Sequence, residues 1–158
     1  MGYGGEGVGS RREARERAMS LLYEAETKGC EPLGAVLEDL VVDPQPFAAE
    51  VVAGVSEHRG EIDGLITRFA RGWSLDRMPA LDRALLRMGV YELAHRPDVP
   101  VGAVITEAVE LAKRFSTDDS GRFVNGVLGR ISADLRQGPD PKRAFPVGGG
   151  RSAVGGAP

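Results

Sequence analysis

The segment between Pro79 and Ile131 constrains the fold more than any other part of the chain. It contains three runs in which apolar residues recur at a helical spacing. A proline-rich link at residues 96–100 separates the first two runs, and a polar link at residues 116–120 separates the last two. Apolar residues at this spacing are typical of helices that bury one face. The segment therefore predicts three consecutive packed helices.

The first of these helices, predicted at residues 80–95, is apolar almost all the way round. Only Arg83 and Arg87 form a clearly polar strip on it. Apolar residues project from both sides of the predicted helix: Leu81, Ala84, Leu85 and Met88 from one side, and Leu86, Val90 and Leu93 from the other. A helix of this kind is buried, so we expect it at the centre of the domain. Glu92 lies in an apolar stripe and needs hydrogen-bond donors, for which a buried arginine is the expected partner.

The other two helices are amphipathic and are predicted at residues 101–115 and 119–136. Val104, Ala108, Leu111 and Phe115 mark the buried face of the former. In the latter, Phe123 lies roughly 90° from the middle of the apolar stripe. Two interpretations stay open for Phe123: its ring wraps onto the core, or it faces a ligand.

The rest of the chain predicts further helices. One begins at Ser10 with a Ser10/Glu13 capping box, a short one covers residues 33–42, and a long one covers residues 47–71. His58 falls on the apolar face of the long helix and is expected to be a core histidine. We expect Trp73 to pack as a plug between two halves of the fold.

The predicted fold is therefore all-α, with about seven helices in two sub-bundles, at residues 10–72 and 73–136, around a central buried helix. The glycine-rich leader at residues 1–9 and the Gly/Pro-rich tail at residues 137–158 are expected to be disordered.

Charge restricts any nucleic-acid site to a local patch, because the chain as a whole carries a net charge of −3. Residues 31–63 contain eight acidic residues against one arginine, whereas residues 11–17 contain four arginines and two glutamates. Positive charge at a helix N-terminus opposes the helix dipole. The sequence supports two interpretations of these arginines about equally: they are solvated side chains at the start of a helix, or they contact phosphate groups.

Several classes of function find no support in the sequence. A single cysteine, Cys30, forms no internal disulfide and fits a reducing compartment. No signal peptide or membrane-spanning run is present, so we expect a cytoplasmic protein. Glu92-x-x-His95 is half of a di-iron motif, and the second half is missing. We expect no catalytic residues, no metal site and no cofactor, and predict that the chain is not an enzyme.

Three quoted segments carry a resemblance to a known family. The runs LDRALLRMGVYEL and AVITEAVELAKRFSTDDSGRFVNGVLGRI, together with RREARERAMSLLYEAE near the start, resemble the NusB family of bacterial transcription antitermination factors. The resemblance covers about residues 10–136 and is weaker at residues 31–60. It implies binding of the boxA element of ribosomal RNA operon transcripts, together with the small ribosomal protein NusE, in the elongating RNA polymerase complex.

The resemblance also implies site residues. The RNA contacts would be Arg11, Arg12, Arg15, Lys113, Asp119, Arg122 and Phe123, with the Phe123 ring stacking on an unpaired base. The surface for the protein partner would include Tyr23, Asp76, Asp82, Asp118 and Asp119. Glu13 stands where the family often has a third consecutive arginine, which lowers the local charge and makes the protein partner more necessary.

Two alternatives remain beside an RNA-binding antitermination factor. One is a helical accessory domain of an RNA methyltransferase, although no cofactor loop accompanies the bundle here. The other is a protein-binding helical adaptor, or a homodimer, without direct RNA binding. An adaptor predicts no affinity for a boxA-like strand and no dependence on salt.

Overall fold

The computed structural model describes residues 8–136, with side chains from Arg11 onwards. This part of the chain contains helices and turns but no strand. The α-helices are α1 (Val8–Thr27), α2 (Pro46–Glu57), α3 (Arg59–Phe69), α4 (Ala80–His95), α5 (Val101–Phe115) and α6 (Asp118–Leu135). Two short 3₁₀ helices cover Leu33–Asp39 and Leu75–Arg77. The all-helical prediction is confirmed. The predicted disorder of residues 1–7 and of the tail lies outside the described residues, and α1 begins two residues before the predicted start.

Helix α4 is the centre of the molecule, as its sequence predicts. It packs against each of the other five α-helices of the described region. Leu85, Leu86 and Val90 have no exposed surface. Gly89 lets α6 approach closely, because a Cβ atom there would lie 2.7 Å from a methyl group of Leu128. The helix is buried on all sides because it has almost no polar face to leave in water.

The remaining helices form two groups around α4. Helices α1 and α2 pack against each other and against the 3₁₀ helix Leu33–Asp39, whereas α5 and α6 pack tightly together on α4. Helix α3 contacts both α4 and α6. Two helical sub-bundles thus share one core, as predicted.

A partly buried arginine closes the C-terminal end of α4. The guanidinium group of Arg136 donates hydrogen bonds to the carbonyl groups of Leu93, Arg96 and Val99, at 2.8–2.9 Å. These carbonyls belong to the last turn of the helix and to the link after it, where no further helical N–H can reach them. The final residue of the described region therefore ties α6 to the central helix.

The prediction of one long helix at residues 47–71 is wrong, because two helices, α2 and α3, cover this range. It divides at His58, whose backbone adopts φ −105° and ψ 23°. His58 is half-buried rather than a core residue, and its ring stacks on that of His95. The predicted plug role of Trp73 is also wrong, because half of this residue is exposed. The helix predicted at residues 33–42 is a 3₁₀ helix that ends at Asp39.

Candidate nucleic-acid interface

The arginines at the start of α1 have different environments. Arg12 is exposed, and its Nε and Nη2 atoms donate to the two carboxylate oxygens of Glu107 on α5, at 3.0 and 2.9 Å. These hydrogen bonds raise the pKa of Arg12. The guanidinium group of Arg11 lies over the Phe47 ring, 4.2 Å from its centre. Both residues hold a positive charge near the surface at the beginning of α1.

Arg15 lies in the interior instead. It is only 6% exposed, and its Nε and Nη2 atoms donate to Glu92 at 2.9 and 2.7 Å. The prediction that Glu92 pairs with a buried arginine is confirmed. A contact between Arg15 and RNA would require this ion pair to break and would leave a buried carboxylate without its partner. We therefore assign Arg15 a structural role and leave it out of the candidate surface.

Two ion pairs bring the start of α1 and the end of α5 onto one surface. One is the Arg12–Glu107 pair, and the other joins Glu16 on α1 to Arg114 on α5 at 3.4 Å. Lys113 and Arg114 are the basic residues in the last turn of α5. The arginine-rich helix start and this basic turn therefore belong to the same face of the molecule.

The start of α6 continues this face. The aliphatic part of Lys113 lies against Gly121, where a Cβ atom would come within 3.0 Å of the lysine Cγ. Asp119 and Arg122 form an exposed ion pair in the first turn of α6. The hydroxyl of Thr117 caps the same turn by accepting a hydrogen bond from the backbone N–H of Ser120, at 2.9 Å. Thus Asp119 and Arg122 lie on the capped start of α6, and Lys113, the third of these predicted RNA-contacting residues, packs against the same turn from the end of α5.

Phe123 forms one wall of a groove, which we call the aromatic groove. Its ring meets that of Trp73 edge to face, with 5.9 Å between the ring centres. The groove has a volume of about 370 Å³ and is lined by Trp73, Pro79, Asp82, Thr117, Asp119, Ser120 and Phe123. Phe123 also packs partly against the core. The ring therefore packs in part on the core, while its contact with a ligand in the groove stays a prediction.

Asp82 belongs to the aromatic groove rather than to an exposed partner surface. It is 3% exposed, and within residues 8–136 its Oδ1 atom has no hydrogen-bond partner. Burial raises the pKa of Asp82, and the hydroxyls of Ser120 and Ser116 act in the opposite direction. Because the carboxylate is buried, it does not form the exposed contact with a basic protein that the sequence suggested.

The other predicted partner-binding residues are exposed. Tyr23 lies on α1 and is 45% exposed, Asp76 lies in the 3₁₀ helix Leu75–Arg77, and Asp118 begins α6. Asp119 is exposed beside Asp118 and also lines the aromatic groove. Of the predicted partner-binding residues, Asp118 and Asp119 thus lie beside the predicted RNA-contacting residues at the start of α6.

Sequence reasoning missed two aromatic residues at this face. Trp73 was assigned to the interior, and Phe115 was assigned to the buried face of α5. Phe115 is 40% exposed, and the guanidinium group of Arg114 lies over its ring at 4.8 Å. Its position as the last residue of α5 was the available signal, because a side chain there extends past the end of the helix that it would pack beneath.

No helix among the described residues combines the length and the apolar character needed to cross a membrane.

The candidate site consists of cationic side chains beside exposed aromatic rings. Such a surface is suited to unpaired bases and phosphates, because rings stack on bases while guanidinium and ammonium groups neutralise the backbone.

Comparison with known proteins gives consistent matches. The model of the NusB family matches residues 12–133. The chain is 47% identical over 140 residues to transcription antitermination protein NusB of Symbiobacterium thermophilum, covering 80% of this chain and 92% of that protein. It is 48% identical over 127 residues to the protein of the same name from Thermobifida fusca, covering 78% and 89% of the two chains.

Solved structures show the same fold. A crystal structure of NusB from T. maritima superposes with a TM-score of 0.72 at 35% identity, covering 87% of this chain and 97% of that one. A chain in a crystal structure of antitermination factors NusB and NusE in complex with double-stranded RNA superposes with a TM-score of 0.64 at 31% identity. That match covers 77% of this chain and 95% of the other.

Proposed function

Because the chain belongs to the NusB family, we propose that it is a transcription antitermination factor that binds RNA together with NusE. Its relatives are named as antitermination proteins, and the prediction that it is not an enzyme is confirmed by this membership. The similarity extends over 92% of NusB from Symbiobacterium thermophilum, so the chain resembles a whole antitermination protein. This favours the antitermination role over that of an accessory domain in a methyltransferase.

The aromatic groove carries the proposal of direct RNA binding. Phe123 and Trp73 offer ring faces and edges, while Arg122 and Lys113 supply positive charge from the neighbouring turns. Stacking of a base on an aromatic side chain contributes about 1–3 kcal/mol and requires an unpaired base. We therefore assign the groove to a single-stranded segment, with Arg11 and Arg12 contacting its phosphates further along the face.

The proposed protein partner is NusE, bound beside the RNA. The neighbouring structure with 31% identity is a complex of NusB, NusE and RNA. In this chain the exposed carboxylates of Asp76, Asp118 and Asp119, with the ring of Tyr23, suit a basic ribosomal protein. Carboxylates of this kind steer the encounter more than they add affinity. The boxA element of ribosomal RNA transcripts, the elongating RNA polymerase complex and a cytoplasmic location complete the proposal.

A salt titration tests the proposal. Binding of the full chain to a boxA-like single strand, measured with and without NusE, is expected to weaken as salt rises. Arg122→Ala should reduce the slope of log K against log salt by about 0.7, the value for one phosphate contact on a single strand. Lys28→Ala removes the same charge beyond the opposite end of α1, where Lys28 pairs with Glu24, and serves as the matched control.

Two outcomes would contradict direct RNA binding. The first is the absence of affinity at low salt both with and without NusE. The second is an equal change of slope in Arg122→Ala and Lys28→Ala, which would mean that the cation at the groove makes no contact of its own. A self-associating chain that binds no RNA, seen by sedimentation, would support the adaptor or homodimer alternative.

A further inference from the structure

Two histidines and a glutamate meet where α2, α3 and α4 come together. His58 lies between α2 and α3, Glu61 lies in the first turn of α3, and His95 is the last residue of α4. The Oε1 atom of Glu61 is 3.2 Å from Nε2 of His95 and 3.7 Å from Nδ1 of His58. One ligand atom from each residue lies within 4.8 Å of the other two. His58 and Glu61 flank the start of α3, His95 ends α4, and none of the three lines the aromatic groove.

The three atoms are of the types that divalent transition metals prefer. Imidazole nitrogen suits zinc, copper and nickel, and two histidines with a glutamate form a known three-residue donor set for zinc with the fourth position open. Metal–ligand bonds of 2.0–2.1 Å place tetrahedral ligand atoms about 3.3 Å apart. The two separations from Glu61 are already close to that value, whereas the two imidazole rings must still reorient.

We propose that His58, Glu61 and His95 form a binding site for a divalent transition-metal ion of the zinc type. The imidazole rings are stacked with centres 3.9 Å apart, and convergence on one ion requires them to rotate away from each other. All three side chains are at least partly exposed, so this rotation is not blocked by the core. The bound ion connects the α2–α3 junction to the end of α4 and retains an open position for water.

A neighbouring aromatic residue packs against one of the proposed ligands. Tyr91 stacks on His95 with ring centres 5.6 Å apart, and its hydroxyl donates to Glu50 at 2.8 Å. Burial and this hydrogen bond raise the pKa of the phenol to about 12. Glu50 also accepts a hydrogen bond from Arg96 at 2.7 Å, so its charge is already paired, and Glu61 is the carboxylate left to the proposed ion.

The site differs from the one suggested by Glu92-x-x-His95. Glu92 is committed to Arg15 in the interior and is unavailable to a metal. His95 instead turns towards residues of α3, which lie far from it in sequence. The proposed role is to join the α2–α3 junction to α4, since an ion that binds only the folded chain stabilises it by an amount that grows with the logarithm of the ratio of its concentration to its Kd. Affinity decreases as the pH falls, because protons compete for the same imidazole nitrogens.

Calorimetric titration of the full, tag-free chain with zinc chloride, after removal of metals by a chelator, tests the proposal. One zinc per chain is expected, with an increase of about 5 °C in Tm once zinc is well above its Kd. His58→Ala and His95→Ala should each abolish this increase, and Glu61→Gln should reduce it. Cobalt titrated into the unmodified chain should give the visible absorption of a tetrahedral or five-coordinate site, which does not depend on any variant folding.

The composition of the chain makes the controls decisive. It contains two histidines and one cysteine in total. Cys30→Ser removes the remaining strong ligand for zinc and is expected to bind zinc as the unmodified chain does. The proposal is overturned if millimolar zinc produces neither heat nor a change in Tm. It is overturned equally if the His58→Ala/His95→Ala double variant still binds one zinc per chain.

Discussion

The guanidinium group of Arg15 on α1 is bonded through two nitrogens to the carboxylate of Glu92 on α4, and both side chains are buried. The pair spans 77 positions of sequence and connects the first helix to the central one. A buried pair of this geometry is costly to break, because removing one partner leaves a charge in the interior with no compensation.

We therefore expect Arg15→Ala to lower the free energy of unfolding by about 3–5 kcal/mol, measured by urea denaturation. Arg12→Ala provides the control. Arg12 makes the same two-nitrogen contact with Glu107, but its own side chain is exposed to solvent, so its loss should cost clearly less than the loss of Arg15. Equal losses in the two variants would show that burial does not determine the contribution of these pairs.

The helices predicted most accurately are those whose apolar residues are densest. The boundaries of α4 and α5 agree with prediction, because their periodicity and the prolines before them leave little choice. The break at His58 was missed, since both sides of it continue the same apolar stripe. The residue that pairs with Glu92 could not be identified either. Periodicity predicts that this carboxylate is buried and therefore needs a donor, but it does not show which of several arginines reaches it.

The candidate site could be predicted from the sequence only where a single helix determines the position of a side chain. Phe123 was singled out by its angle to the apolar stripe, which depends on α6 alone. The aromatic groove also needs Trp73, which precedes α4 by several residues and reaches α6 only through the packing of the fold. Similarly, the burial of Asp82 follows from how α4 and α6 meet, and no local pattern records it.

Substitution of Phe123 should separate stacking from packing. Phe123→Leu keeps an apolar side chain against the core but removes the ring, so we expect RNA binding to weaken by about 1–3 kcal/mol with little change in Tm. Phe123→Ala should weaken binding to a similar extent and also lower Tm, because this ring is partly buried. Fluorescence anisotropy with a labelled RNA strand measures the change in binding, and a thermal melt measures the change in Tm. Unchanged RNA affinity in Phe123→Leu would remove the ring from the binding site.

Asp82 is expected to destabilise the fold when ionised. Its pKa is raised by burial, so the folded state binds the proton more tightly than the unfolded state does. Stability from this group therefore increases as the pH falls through the folded pKa, and above that pKa the ionised carboxylate lowers the stability of the fold. Asp82→Asn should stabilise the protein at pH 7 by on the order of 1 kcal/mol, with a smaller gain in acid.

The exposed Asp119 lines the same groove and supplies the control for this comparison. Asp119→Asn removes an equal charge without relieving burial, and we expect little change in the free energy of unfolding at either pH. Urea denaturation at neutral and acidic pH gives all the required values. If Asp82→Asn were destabilising at pH 7, the carboxylate would have to be making a favourable contact in its ionised form.

Glu26 should show the opposite dependence on pH. The hydrogen bond from Arg83 is the main cause of its lowered pKa, and the charges of Arg83 and Arg87 act in the same direction. The folded state thus binds the proton less tightly than the unfolded state, whose ordinary pKa is 4.5. The stabilisation of the folded state by ionised Glu26 is complete above pH 4.5. It is lost as the pH falls through the lower pKa that Glu26 has in the folded state.

Glu26→Gln should therefore lower the free energy of unfolding by about 1.5–3 kcal/mol at pH 7, the contribution typical of hydrogen bonds to a charged group. The deficit should shrink in acid, because protonation removes the same charge from the unmodified chain. Glu24→Gln is a suitable control, since Glu24 pairs only with the exposed Lys28 in the described contacts and should contribute little. A deficit that is constant from pH 7 to pH 3 would show that the shape of the side chain, rather than its charge, is what Arg83 and Arg87 require.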